Sequence, residues 1–94
     1  MRSVQIEERH YSLIKSILNK FSVQAWAFGS RAKGHAKSLS DLDLVIKEKI
    51  ESRRLAQLKA AFEDSQIPYK IDIILWDEID PQFLLSIEKD LVKF

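Results

Sequence analysis

Two strand-length apolar runs, each interrupted by an aspartate, constrain this chain more than any other feature: Leu42-Asp43-Leu44-Val45-Ile46 and the stretch from Tyr69 to Trp76, YKIDIILW. Both are rich in β-branched and aromatic side chains, which favour a pleated surface. A shorter run of the same character, Val23 to Phe28, precedes them and ends at Gly29. These three segments are read as strands.

Between them the period changes. Ile14, Ile17, Leu18 and Phe21 fall at helical spacing, continued less regularly by Val4, Ile6, Tyr11 and Leu13, so a helix is expected over Val4 to Phe21, ended by the turn residues Asn19 to Ser22. Ser52 is a candidate N-cap for a helix to about Asp64 that buries Leu55, Leu58, Ala61 and Phe62. Pro68 stops it. Asp80 before Pro81 is an N-cap followed by proline at the first helical position. Phe83, Leu84, Ile87 and Leu91 then predict an amphipathic helix to the C-terminus. Ser30-Arg31-Ala32-Lys33 has room for one helical turn before Gly34, and His35 to Ser40 is a polar loop. The alternation predicts an α+β fold, a small mixed β-sheet with helices packed on it, in a single domain spanning 1–94.

Composition narrows the function classes. Fifteen basic residues against 14 acidic ones leave a net charge of +1, so no overall field draws the chain to nucleic acid or membrane, and no direct nucleic-acid binding is expected. No apolar run approaches the roughly 18 residues of a membrane span. The absence of cysteine removes disulfides, thiolate chemistry and Cys-ligated zinc. A cytoplasmic location is the expectation.

The aspartates carry the chemistry. Side chains two apart on a strand share a face, so Asp41 and Asp43 project together while Leu42 and Leu44 point to the core. Like charges that close are costly unless a cation lies between them, and hard oxygen donors suit Mg²⁺ or Mn²⁺. A plain turn at Ser40-Asp41 is the bland alternative. Asp72 sits inside an apolar strand, where a carboxylate needs a partner. Lys70 or an arginine could supply one. If the third strand lies beside the second, Asp72 instead completes a three-carboxylate cluster suited to phosphoryl or nucleotidyl transfer. Gly29-Ser30 directly after a strand lets the backbone approach a phosphate, with Arg31 and Lys33 adding charge. Phosphatases of the haloacid dehalogenase type and sugar-nucleotide glycosyltransferases place their acidic pair after an apolar strand, not before one, and the ligand register of an EF-hand is absent. His10 and His35 are poor ligands for hard cations, Arg53-Arg54 is read as a solvated helix face, and Trp26 and Trp76 as core or interface residues.

Together, GSRAKG and the following SDLDL resemble the signature of the DNA polymerase beta-like nucleotidyltransferase superfamily, most closely the minimal nucleotidyltransferase (MNT) domain of two-gene HEPN/MNT toxin-antitoxin systems. Asp72 in KIDIIL matches the later third acid of that pattern. The resemblance implies a polymerase beta-like palm fold and transfer of a nucleoside monophosphate, expected to be AMP from ATP, to a hydroxyl acceptor. It implies that Gly29, Ser30, Arg31 and Ser40 bind the nucleotide. Asp41, Asp43 and Asp72 would ligate Mg²⁺ or Mn²⁺ and form the catalytic set, with Asp72 assisting deprotonation of the acceptor. It also implies a HEPN-type helical partner, a toxin neutralised by the transferase, and hence a hetero-oligomer. The alternatives are an antitoxin that acts by binding alone and a transferase for small molecules of the aminoglycoside kind.

Overall fold

In the computed structural model the described residues are 6–29 and 41–94. Helix α1 (Glu8–Lys20) leads into strands β1 (Trp26–Phe28) and β2 (Leu42–Ile46). Helix α2 (Ser52–Glu63), strand β3 (Ile71–Leu75), helix α3 (Pro81–Ile87) and strand β4 (Val92–Lys93) follow, with 3-10 turns at Trp76–Glu78 and Glu88–Asp90. The strands form one mixed sheet in the order β3-β2-β1-β4. Strand β1 is antiparallel to both β2 and β4, whereas β2 and β3, joined through α2, run parallel.

Helix α1 begins later than its apolar stripe suggested, at Glu8, with no side-chain cap at Glu7. Val4 lies outside the described residues. Its end is a Schellman turn: Val23 N–H donates to Leu18 O and Ser22 N–H to Asn19 O, with Ser22 at φ 54°. Val23 and Leu18 are both buried there, so the turn also seals the core. Strand β1 is shorter than the run Val23 to Phe28, because the Gln24 N–H is taken by the Glu48 carboxylate. Helix α2 starts at Ser52 itself, with Glu51 in the cap position, and it buries Leu58 and Phe62 fully and Leu55 and Ala61 in part.

The sheet separates two apolar layers. On one face Ala27, Leu42, Leu44, Ile71 and Ile73 pack with Ile14 and Leu18 of α1 and Leu58 and Phe62 of α2. On the other, Phe28, Val45 and Ile74 pack with Ile87 of α3, together with Trp26, Trp76 and Leu91. Period-2 alternation therefore sends Leu42 and Leu44 to the helical core and Asp43 and Val45 to the opposite face, as expected.

The C-terminal segment departs from expectation. The Asp80 carboxylate accepts from the Gln82 N–H at 3.0 Å, so the cap forms as read, but α3 ends at Ile87. Leu91 is extended, and Val92–Lys93 pairs with β1 as a fourth strand. Pairing with the free edge of β1 and burial of Val92 and Phe94 outweigh the helical spacing of Leu91. Among the described residues no helix is long and apolar enough to cross a membrane.

Candidate active site

The site is built at one end of the sheet, on the face that carries Val45. Parallel pairing of β2 with β3 sets Asp43 directly beside Asp72, and antiparallel pairing of β1 with β2 sets Phe28 on the other side of Asp43. The juxtaposition expected of Asp43 and Asp72 is thus a register relation between residues 29 apart in sequence. Asp41 precedes β2 and is exposed, whereas Asp43 is half-buried.

Electrostatics mark the three acids as neighbours. The Asp43 carboxyl is held above its ordinary value, chiefly by burial, then by the charges of Asp72 and Asp41, with Lys70 pulling weakly the other way. Lys70 Nζ lies 3.2 Å from Asp72 Oδ1. Asp72 is thus at once the register partner of Asp43 and the ion-pair partner of a lysine that just precedes its strand. The Asp72 side chain keeps 36% of its exposure, so that ion pair is screened and worth little by itself. Among the described residues no group of three carboxylate or imidazole side chains is arranged to hold a metal ion as it stands. Chemically the set fits a hard dication: every donor is a carboxylate oxygen, and the repulsion on Asp43 is what a cation would relieve.

Gly29 closes the site from β1. Its φ is +79°, a left-handed conformation that suits glycine, and a Cβ there would stand 2.7 Å from Asp43 Oδ2. The backbone turn therefore passes against the carboxylate, which would have to turn aside for any side chain there. Ser30, Arg31 and Ser40, expected at the nucleotide, lie outside the described residues, as do the helical turn from Ser30 and the loop containing His35.

Phe28, the register partner of Asp43, brings a second aromatic residue with it. The Phe28 ring meets Phe83 of α3 edge to face, at 6.1 Å between centroids and 77°. Phe83 remains 42% exposed and reaches Phe28 because α3 folds back over the sheet, which helical periodicity does not disclose. Its only sequence signal was a place on the α3 stripe. His10 is buried on α1 against Tyr69. Trp26 and Trp76 are half-buried and share Lys47, whose Nζ stands 4.5 and 4.9 Å from their ring centroids.

A half-buried carboxylate pair on adjacent strands, beside a glycine turn that ends a third, defines a nucleotidyltransferase-type palm. In agreement, residues 12–92 match the family described as polymerase beta, nucleotidyltransferase, and the chain belongs to that family. Over 90 residues it is 36% identical to the "Probable protein adenylyltransferase MntA" of Haemophilus influenzae, a match that covers 92% of this chain and 79% of that relative. The protein is accordingly a nucleotidyltransferase of the minimal, MNT type.

Proposed function

We propose that this nucleotidyltransferase moves AMP from ATP to a hydroxyl group on a partner protein, with Mg²⁺ as the working cation, and that the partner is a HEPN-type helical toxin held in check by the modification. The observation that carries this reading is the Asp43–Asp72 pair set against the side-chain-free turn at Gly29. The name of the Haemophilus influenzae relative supports AMP and a protein acceptor. The resemblance of GSRAKG and SDLDL to two-gene HEPN/MNT systems supports the toxin.

Asp41, Asp43 and Asp72 are the residues that would hold the cation. When bound, it would neutralise phosphate charge as the acceptor approaches. The chain's own groups do the positioning. Gly29 lets the triphosphate come against the backbone, with Ser30, Arg31 and Ser40 as its further contacts. Asp72 takes the acceptor hydroxyl proton, and Lys70 holds that carboxylate in place. The acceptor oxygen forms a bond to the α-phosphorus, the bond from that phosphorus to the bridging oxygen of the β-phosphate breaks, and pyrophosphate leaves.

The test is transfer of label from α-³²P-ATP, with Mg²⁺, to the product of the neighbouring gene. Wild type should label it, and an Asp41→Ala/Asp43→Ala variant should not. An unlabelled partner that the double variant still neutralises would leave binding alone as the mode of action.

A further inference from the structure

We propose that the open edge of β3 is the docking rail for the acceptor, which binds as an added, extended strand with its hydroxyl residue abreast of Asp72; this rests on the protein-acceptor reading above. Among the described residues β3 is the edge of the sheet, paired only with β2. The opposite edge strand, β4, is two residues long and includes a lysine, a form that discourages further pairing, whereas β3 offers five residues of which four are isoleucine or leucine.

Direction and face follow from the ladder. The Leu42 N–H donates to Lys70 O at 2.9 Å, so the main-chain groups of Lys70, Asp72 and Ile74 turn toward β2. Those of Ile71, Ile73 and Leu75 turn outward. An added strand bonded to them would carry alternate side chains to alternate faces, and the residue opposite Asp72 would project onto the Asp43 face.

The other face has a receptor for its neighbours. A groove of about 320 Å³ runs along β3, with Phe62, Ile67, Ile71 and Ile73 among its apolar lining and Asp72 also in its wall. Lys59 and Lys70 balance Glu63 and Asp72 in its lining, so the groove selects its guest by apolar contact rather than by charge. The acceptor is therefore a segment with a hydroxyl residue between two apolar ones. Its apolar pair fills the groove while its hydroxyl reaches the acids.

The probe is a capped heptapeptide with central tyrosine, an isoleucine on each side and glutamines beyond, added to the full chain with ATP and Mg²⁺. Amide hydrogen exchange by NMR and AMP transfer are read in parallel. Exchange at Ile71, Ile73 and Leu75 should slow by about tenfold or more at saturating peptide, while Asp72 and Ile74, already bonded to β2, change little. Protection without transfer would uphold the rail and count against the catalytic reading. Transfer without protection, or neither, would overturn the rail. Ile73→Pro removes an outward N–H without touching the β2 ladder, and if folded by near-UV circular dichroism it should cut peptide labelling about tenfold with ATP affinity unchanged. Unchanged labelling in that variant would also overturn the proposal.

Discussion

Asp43→Asn separates a functional acid from a structural one, because it should raise stability while removing activity. Asp43 and Asp72 are register partners on strands whose backbones lie about 4.8 Å apart, which places their carboxylates roughly 6 Å apart. At that distance two like charges repel by about 0.7 kcal/mol in a water-like medium and about 2.8 kcal/mol at an effective dielectric of about 20. Asp43 is half-buried, but Lys70 offsets part of the charge on Asp72, so a gain of about 1 kcal/mol at neutral pH is expected. For a domain of this size that raises Tm by roughly 4–8 °C. The size of the gain depends on pH. Folding raises the Asp43 pKa above its ordinary value of 3.8, so the stability contributed by the protonated carboxyl is complete below that value and is lost as pH rises through the folded pKa. The advantage of Asn should therefore be small in acid and grow to a plateau toward neutrality. Thermal melts in chelator-treated buffer across that range, with AMP transfer measured on the same samples, make the comparison. An Asn variant less stable at every pH, or one that keeps full transfer, would refute the reasoning.

Adding Mg²⁺ at about 100 times its Kd should stabilise wild type by about 2.7 kcal/mol and Asp43→Asn far less, reversing their order in a thermal melt; no Mg²⁺ response in wild type would remove the cation from the site. Gly29→Ala forces a side chain into φ +79° and against Asp43 Oδ2, and should cost about 1–2 kcal/mol by denaturant titration together with most of the transfer activity. Leu44→Ala empties a fully buried position beneath the site and should cost about 2–5 kcal/mol, a large part of the stability of so small a domain, as measured by urea unfolding. Lys47→Gln removes the cation shared by Trp26 and Trp76 and should cost about 0.5–1 kcal/mol while transfer stays at the wild-type level.

Local chemistry in the sequence determined much of this molecule. Alternation in LDLVI set which side chains of β2 enter the core, Asp80-Pro81 set the start of α3, and a glycine after the first strand marked a turn that no other residue would make as cheaply. Each of these depends on neighbours within a few residues, so periodicity and propensity suffice to read them. What only the tertiary structure decided is pairing. The strand at Val92–Lys93 exists because β1 had a free edge to fill, against the helical spacing of Leu91. Phe83 meets Phe28 because α3 folds back over the sheet, and the outward groups of β3 are open because among the described residues no strand lies beyond it. The acids themselves were legible one by one, but their partnership is a register: a one-residue slip of β3 against β2 would turn Asp72 to the helical face and leave Asp43 alone.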